Sequence, residues 1–310
     1  MDTQLHAALA RALDGVPHHE LRRRVAALSH RYRTEQVDDA APGMRDHLDA
    51  VAYAVIRMPA TFRALYAALS AAERHVDASF TTHLDLGGGT GAAAWAAASL
   101  WPTITTDIIE RQPAAIALGQ QLASSNSWRW TAADLRHWSG SADLITIGYV
   151  LNELSDHVRD SLIQTAARSA TTLVIVEPGT PPGHRRTLRA RDLLIDHGFT
   201  IAAPCPHQRE CPTDWCHFAA RLPRTELHRV LKDGTRNYEE ERFSYLVATR
   251  APVRPAPARV IRRPDRPKGR VVLELCTSTG AAQQLTVPRS DEAYRAARGA
   301  SWGDVWDQSS

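Results

Sequence analysis

The stretch FTTHLDLGGGTGAAAWAAASLW, residues 80–101, predicts a strand, a tight turn and a helix in succession. Glycine lets the backbone turn sharply and approach a ligand closely, and the N-terminus of the following helix offers free N–H groups. The acid-first spacing of Asp85, Gly87, Gly89 and Gly91 differs from the G-x-G-x-x-G spacing of dinucleotide-binding loops. The stretch therefore predicts a cofactor at the turn and disfavours a nicotinamide dinucleotide.

The chain around this stretch alternates strands and helices, which predicts an α/β fold with a doubly wound, Rossmann-like parallel sheet. We divide the chain into a helical N-terminal domain at 1–79, a sheet domain at 80–250 and an extension at 251–310. Two local predictions accompany this division. Pro59 should break the last N-terminal helix, and FSYLVATR, residues 243–250, should form a late edge strand.

The glycine turn resembles the first motif of class I S-adenosylmethionine-dependent methyltransferases, in which the glycines admit the amino-acid part of the cofactor. In that fold an acid at the end of the second strand binds both ribose hydroxyls. The resemblance implies this role for Glu110, nineteen residues after Gly91, with Asp107 as the competitor, and an adenine contact for Asp134. No catalytic residue is singled out. The cofactor-binding residues that the resemblance implies are Asp85, Gly87, Gly89, Gly91, Glu110 and Asp134.

The composition is that of an ordinary globular protein, with 44% hydrophobic and 23% charged residues. The N-terminus carries acid early and shows no signal-peptide pattern, and the longest uncharged run, 86–106, is too weakly apolar for a membrane span. These features predict a cytoplasmic protein without membrane association. Because cytosolic thiols stay reduced, the four cysteines are expected to bind metal or pack in the core rather than form disulfides.

Three of the four cysteines lie in CPHQRECPTDWC, residues 205–216, within a predicted insertion at 201–220, and the fourth is Cys276. The C-x5-C-x4-C spacing lacks the C-x2-C knuckles that zinc modules usually carry. Four irregularly spaced thiolates can hold a 4Fe-4S cluster, but spacing alone leaves a cluster, zinc and unligated core thiols open. His207 or His217 could replace a cysteine as a ligand.

Positive charge is concentrated in one part of the chain. Residues 181–270 hold nineteen Lys and Arg against ten Asp and Glu, a net charge of +9, although the whole chain carries only +3. Within this part, residues 250–270 are dense in proline and predict an extended basic arm or a linker. A basic arm suits the phosphates of RNA, and a solvated surface is the alternative.

Seven segments together resemble the mitochondrial small-ribosomal-subunit assembly proteins of the methyltransferase-like group and their bacterial relatives: LDLGGGTGAA, YVLNEL, VIVEPGTPPG, the cysteine run, FSYL, LCTSTG and SWGDVW. The resemblance covers residues 57–306. It implies a ribosome assembly factor that binds small-subunit ribosomal RNA or a pre-ribosomal particle. It also implies a 4Fe-4S cluster, with the ligands Cys205, Cys211, Cys216 and Cys276.

The sequence leaves three functions open. The first is an S-adenosylmethionine-dependent assembly factor that methylates ribosomal RNA and carries a structural cluster. The second is a non-catalytic RNA-binding factor with the same fold, and the third is a small-molecule or peptide methyltransferase with a structural zinc site. The excess of positive charge favours RNA over a small substrate.

Overall fold

The structure is a computed structural model and describes residues 3–33, 44–123, 126–223 and 237–307. The helices in these ranges are α1 (Thr3–Ala12), α2 (His18–Arg33), α3 (His47–His75), α4 (Ala92–Leu100), α5 (Pro113–Leu122), α6 (Asp156–Ser169), α7 (Pro181–Asp196) and α8 (Tyr294–Gly299), with a 3-10 turn at Leu151–Glu153. The strands are β1 (Thr82–Leu86), β2 (Thr105–Glu110), β3 (Arg129–Ala132), β4 (Ala142–Gly148), β5 (Ala170–Pro178), β6 (Thr200–Ala203), β7 (Phe218–Pro223), β8 (Tyr238–Thr249), β9 (Ala258–Val260), β10 (Arg270–Thr277), β11 (Ala282–Pro288) and β12 (Val305–Trp306).

The central sheet has the strand order β3-β2-β1-β4-β5-β8-β6, with β7 paired to β8 outside this row. Strands β1 to β5 pair in parallel. β8 runs antiparallel between β5 and β6. Parallel neighbours need crossover connections, so the alternation of strands and helices along the chain produces a doubly wound sheet. The predicted fold class, a Rossmann-like sheet of the class I methyltransferase type, is confirmed.

The prediction that FSYLVATR forms an edge strand is wrong. These residues form the second half of β8, which lies between β5 on one side and β6 and β7 on the other. Leu246, Val247 and Ala248 are all buried, because α3 and α7 both pack against this strand. An uninterrupted apolar run is typical of a strand that is covered on both faces.

The prediction that Pro59 breaks a helix is also wrong, because α3 continues across this residue. A proline inside a helix removes one main-chain hydrogen bond and typically costs about 3 kcal/mol. Burial offsets this cost, since Pro59, Met58, Phe62 and Leu65 are all buried. The uninterrupted helix positions its side chains against the carboxyl ends of the strands.

Two hydrophobic clusters lie on opposite faces of the central sheet. The first joins the N-terminal helices, α4 and α5 to one face and includes Leu5, Leu69 and Val247. The second joins α6 and α7 to the other face and includes Leu162 and Leu194. The N-terminal helices therefore share one core with the sheet. Each helix in the described ranges falls short of the length or the apolar character that crossing a membrane requires.

The extension after β8 folds into a second, antiparallel sheet with the order β11-β10-β9-β12. Its core contains Val260, Leu273 and Val287. β9 lies inside the proline-rich stretch and pairs with both β10 and β12. The stretch is therefore packed into a sheet, and the prediction of an extended arm is wrong.

The arginines of this stretch contact the protein itself. Arg262 donates to the main-chain oxygen of Trp215 at 2.8 Å, and Arg266 donates to that of Ala300 at 2.6 Å. Arg263 forms a 2.8 Å ion pair with a glutamate of β8. These contacts tie the arginines to the protein surface, although Arg263 and Arg266 stay exposed to solvent.

Candidate functional site

The glycine turn lies between the carboxyl end of β1 and the start of α4, at the edge where the parallel strands end. Gly87, Gly89 and Gly91 have positive φ angles of 72°, 55° and 91°. A Cβ atom at Gly88 would lie 2.4 Å from Oδ2 of Asp85, so this position has no room for a side chain. A Cβ atom at Gly89 would meet no described atom within 4 Å. The turn thus requires glycine for its own conformation and leaves space for a ligand at Gly89.

Glu110, at the end of β2, holds the glycine turn in place. Its Oε2 accepts from the N–H of Gly89 at 2.9 Å, and its Oε1 accepts from the N–H groups of Arg111 and Gln112 at 2.7 and 2.8 Å. Burial raises the pKa of Glu110, and the three N–H groups oppose that shift. The competitor Asp107 faces away and pairs with an exposed arginine at 2.7 Å. The structure therefore brings Glu110, rather than Asp107, to the turn.

Asp85 is a buried carboxyl at the end of β1, only 2% exposed. Its Oδ1 accepts a hydrogen bond from Thr146 at 2.7 Å, whereas its buried Oδ2 has no partner among the described residues. Burial raises the pKa of Asp85 to about 7; the Thr146 hydroxyl opposes this shift, and the Glu110 carboxylate adds to it. An unpaired acceptor in this position fits a cationic group of a ligand.

Asp134, the predicted adenine contact, lies after β3 and away from the lining of the cleft. Its two carboxylate oxygens accept from Nε and Nη2 of Arg136 at 2.9 and 2.7 Å. These hydrogen bonds hold the pKa of Asp134 well below its usual range. The side chain is 29% exposed, so it is accessible but already paired.

A cleft of about 370 Å³, counting its open mouth, lies between the glycine turn and α3. The α3 wall is formed by Tyr53, Met58, Thr61 and Leu65. Thr90 of the turn donates to the Met58 sulfur at 3.4 Å, so the helix contacts the turn directly. Sequence reasoning missed this wall, because helical spacing marks these residues only as a buried face. The available signal was the segment RMPATFRAL, which contains three of the four.

A buried polar network follows β4, where Tyr149 has a positive φ of 60°. This conformation is strained for a residue with a side chain. The Tyr149 hydroxyl donates to Glu241 at 2.9 Å, and Arg57 pairs with the same carboxylate at 3.1 Å. Burial, and then the Glu241 charge, raise the pKa of Tyr149 well above its ordinary value. The network joins α3, the loop after β4 and β8, and nothing in the sequence analysis predicted it.

The four cysteines line one cavity of about 530 Å³, counting its opening. Cys205, Cys211 and Cys216 come from the segment between β6 and β7, and Cys276 comes from β10 of the second sheet. In the described part of the chain, no group of three or more His, Cys, Asp or Glu side chains is arranged to hold a single metal ion. The thiols thus surround a space rather than close on one point. They are brought together as the sequence predicts, and the metal itself stays a prediction.

The thiols of Cys205, Cys216 and Cys276 are shifted towards their neutral form. Burial raises the pKa of Cys276 to about 12, and the neighbouring Cys205 and Cys211 thiols contribute to the shift. Burial also raises the pKa of Cys216 well above its ordinary value and raises that of Cys205. On Cys205 the Arg191 guanidinium acts in the opposite direction. A metal centre would have to displace these protons on binding.

The two histidines considered as alternative ligands differ in position. Nδ1 of His207 faces the main-chain oxygen of Arg209 at 3.1 Å and therefore carries the proton, so its Nε2 accepts from the Cys276 thiol at 3.3 Å. His217 instead stacks on Trp215, with ring centroids 4.2 Å apart. Of the two, His207 is the one that contacts a cysteine in the described structure.

The chain matches a family model described as "Mitochondrial small ribosomal subunit Rsm22" over residues 47–307. The human "Ribosome assembly protein METTL17, mitochondrial" is 28% identical over 256 residues, which cover 72% of this chain and 55% of that protein. The "Rsm22-cox11 tandem protein 2, mitochondrial" of Schizosaccharomyces pombe is 27% identical over a 336-residue alignment, covering 87% of this chain and 44% of that protein. The chain therefore spans about half the length of the curated relatives it matches.

Solved structures with a similar fold include magnesium protoporphyrin IX methyltransferase (ChlM) from Synechocystis PCC 6803 with bound SAM. It has a TM-score of 0.40 and 14% identity, covering 70% of this chain and 90% of that chain. The precorrin-6y C5,15-methyltransferase from Geobacter metallireducens GS-15 has a TM-score of 0.41 and 16% identity, covering 60% and 88%. The fold assignment itself rests on the strand order of the central sheet.

The family model covers most of the chain, so the chain belongs to the Rsm22 family of the mitochondrial small ribosomal subunit. The family resemblance inferred from the sequence is confirmed. The predicted cytoplasmic location is wrong, because the curated relatives are mitochondrial by name and point to mitochondria instead. That prediction rested on the absence of a signal-peptide pattern, which does not separate the cytoplasm from mitochondria.

Proposed function

We propose that this member of the Rsm22 family is an S-adenosylmethionine-binding factor of small-ribosomal-subunit assembly. In this role it contacts small-subunit ribosomal RNA and carries a structural 4Fe-4S cluster. The observation that carries the proposal is that one continuous family match, residues 47–307, includes both the glycine-turn cleft and all four thiols. The human relative is named as a mitochondrial ribosome assembly protein, which supports the same role for this chain.

The cleft at the glycine turn supports S-adenosylmethionine as its ligand. The unpaired Oδ2 of Asp85 suits the ammonium group of the cofactor, and the open space at Gly89 suits its amino-acid part. Glu110, fixed by three main-chain N–H groups, would accept the ribose hydroxyls. Asp134 would contact the adenine only after its pair with Arg136 has opened. When bound, the cofactor supplies an activated methyl group.

The donor set of the thiol cavity supports an iron–sulfur cluster. Cysteine thiolates are soft ligands that suit iron–sulfur clusters and zinc. A space surrounded by thiols fits a cluster better than a single tetrahedral zinc ion, whose sulfur ligands all lie about 2.3 Å from one point. The four cysteines would join the segment before β7 to β10 of the second sheet. The binding free energy would then contribute to folding, and for this reason we assign the cluster a structural role.

The proposed RNA contact lies at one end of the β10–β11 hairpin. Lys268, Arg270 and Arg289 are exposed there, and none of them forms an ion pair with a described residue. Arg270 pairs in register with Pro288, and the N–H of Arg289 donates to Gly269 at 2.8 Å, so the three cations lie close together. Arginine and lysine both bind phosphate, so such a cluster suits the RNA backbone. We limit the proposed RNA surface to these three residues, because the other arginines of the basic stretch form contacts within the protein.

A non-catalytic factor with the same fold is the second candidate, and the packing of α3 favours it. A Cβ atom at Gly148 would lie 3.1 Å from Leu65, so α3 packs closely on the end of β4. The next residue, Tyr149, is held by Glu241, which also binds Arg57. An acceptor base would have to displace these contacts to reach a methyl group in the cleft.

One experiment tests both candidates. The chain is purified anaerobically, its binding of S-adenosylmethionine is measured by calorimetry, and labelled-methyl transfer to small-subunit particles is then assayed. Binding with methyl transfer supports the catalytic factor, whereas binding of cofactor and particle without transfer supports the non-catalytic one. If the wild-type chain bound neither cofactor nor particle, the proposed function would be refuted.

A further inference from the structure

Two arginine side chains are buried beside the thiol cavity. Arg259, on β9, is 1% exposed, and Arg191, on α7, is 3% exposed. Arg191 lines the cavity, and Arg259 pairs in register with Cys276 and donates to the main-chain oxygen of Pro204, next to Cys205. Arginine stays protonated in proteins, so each side chain places a full positive charge in the interior.

Arg259 has only neutral hydrogen-bond partners in the described structure. Its Nε donates to the main-chain oxygen of Pro204 and its Nη1 to that of Gly303, both at 3.0 Å, and its Nη2 contacts Nε2 of His75 at 3.1 Å. A guanidinium nitrogen can only donate, so the ring of His75 is neutral; its Nδ1 donates to the main-chain oxygen of Arg254, and burial lowers its pKa. Its Nε2 is therefore an acceptor, and it brings no negative charge to Arg259.

The positive charge of Arg191 is also poorly compensated by its neighbours. Its Nη2 donates to the main-chain oxygens of His207, at 3.4 Å, and Arg209, while its buried Nε has no partner among the described residues. Its described carboxylate contact, to Asp192 at 3.5 Å, involves a side chain that is 63% exposed and so well screened by solvent. The described lining of the cavity contains neither Asp nor Glu.

A buried cation without a counter-charge carries a large desolvation penalty. The neutral main-chain and His75 partners of the two guanidinium groups cannot offset it. Four thiolates around a doubly positive cluster core, by contrast, leave two net negative charges in the same cavity. The two buried arginines carry two positive charges, which are opposite in sign and equal in number to that charge.

We propose that Arg191 and Arg259 are the counter-charges of the metal–thiolate centre and that they set its retention and its reduction potential. This inference rests on the proposed cluster and deepens it. Removing one cation leaves an excess of negative charge in a poorly solvated site, which disfavours the anionic centre and disfavours adding an electron to it. The loss therefore weakens metal retention and makes the reduction potential more negative.

The test compares the anaerobically purified full chain with Arg259→Met, Arg259→Lys and Arg254→Met. Arg254 is the matched control, because it lies in the same basic stretch but pairs with Asp77 at the surface, at 2.9 Å. Chelator competition measures metal retention, and optical redox titration measures the reduction potential. Arg259→Met is expected to weaken retention by about tenfold or more, as loss of an outer-shell partner typically does. Arg259→Lys should retain most of the wild-type potential, and Arg254→Met should match the wild type.

Unfolding of the loaded and the metal-stripped chains separates a counter-charge from a purely structural arginine. Arg259→Met should lose less stability in the stripped chain than in the loaded chain, because it removes an unbalanced cation there. Equal losses in both forms, together with wild-type retention and potential, would overturn the proposal and leave Arg259 a structural residue. If Arg259→Met fails to fold, Arg191→Met provides the same comparison. A wild-type chain that holds no metal would refute the cluster itself, and that result is obtained before any variant is made.

Discussion

The glycine-turn cleft and the thiol cavity are built in opposite ways. The cleft comes mainly from one continuous stretch, and its conformation is fixed by main-chain bonds to Glu110. The cavity collects its side chains from α7, from the segment between β6 and β7, from β8 and from β10. It also has two buried guanidinium groups without a matching buried carboxylate among the described residues. We infer that the cleft is formed before its ligand binds, whereas the cavity is complete only with an occupant.

The largest effect is expected from Cys276→Ser, because it removes the one thiol that belongs to the second sheet. The metal should be lost, and residues 251–307 should become more sensitive to protease, since the metal no longer joins the two sheets. Cofactor affinity should stay within about threefold of wild type, because the cleft does not depend on this sheet. Metal analysis, limited proteolysis and calorimetry on one preparation check the three results. Retention of a full metal complement by this variant would contradict the ligand assignment.

Gly89→Arg should have the converse effect. The side chain would fill the open space in front of the turn, so binding of S-adenosylmethionine should fall by more than about 100-fold while metal content stays unchanged. A non-glycine residue at the positive φ of 55° is strained, which should lower the free energy of unfolding by about 1–2 kcal/mol. Gly198→Arg is the matched control, because Gly198 also has a positive φ, of 80°, and open space, but lies after α7. Equal cofactor binding by the two variants would show that the ligand does not occupy this turn.

A smaller effect is expected from pH, because burial raises the pKa of Asp85 to about 7. An ammonium group binds the ionised carboxylate, so cofactor affinity should rise about tenfold between pH of about 6 and about 8. In the unliganded protein, the free energy of unfolding changes with pH in the opposite direction. The folded state holds the extra proton between about pH 4 and pH 7, so the free energy of unfolding should fall as pH rises through that window. Asp85→Asn should flatten both profiles, and a rise in affinity that persists in this variant would rule out Asp85 as its source.

The smallest effect concerns the RNA surface. Replacing Lys268, Arg270 and Arg289 with serine should weaken binding to a small-subunit RNA fragment several-fold and lower the salt slope by roughly 0.7 per lost phosphate contact. Replacing Arg262, Arg263 and Arg266 should instead lower the thermal stability, since these side chains contact the protein itself. Salt titrations and melting curves of both triple variants distinguish the two groups. A flattened slope only in the second triple variant would place the RNA contact on Arg262, Arg263 and Arg266 instead.

The difference between the two sites also explains what could be predicted from the sequence. The strand, turn and helix around Gly89 depend on local sequence, and one strand–helix–strand unit fixes the number of residues between Gly91 and Glu110. The sequence therefore predicts the position of the turn and the place of Glu110 beside it. Pro59 and FSYLVATR were misjudged, because burial by distant elements decides whether a helix continues or a strand is central.

The cavity could be predicted only in part. Cysteine is rare in this chain, so three cysteines in twelve residues stood out, and Cys276 followed from the family resemblance. Arg259 could not be identified, because a buried arginine and a solvated one look alike in a basic, proline-rich stretch. Its burial depends on β9 pairing with β10 and β12 and on contacts with Pro204 and His75, which are far away in the chain.

The claim that the thiol cavity, unlike the glycine-turn cleft, needs an occupant is tested most directly on the anaerobically purified wild-type chain. The measurement is its metal and sulfide content, together with the number of thiols that react with a thiol reagent. If the cavity is completed by a cluster, the chain should contain about four iron and four sulfide per molecule, and its cysteines should resist a thiol reagent until the metal is removed. The contrary result would be a purified chain that contains no metal, has freely reactive thiols and does not lose stability when a chelator is added. It would contradict the claim that the cavity needs an occupant.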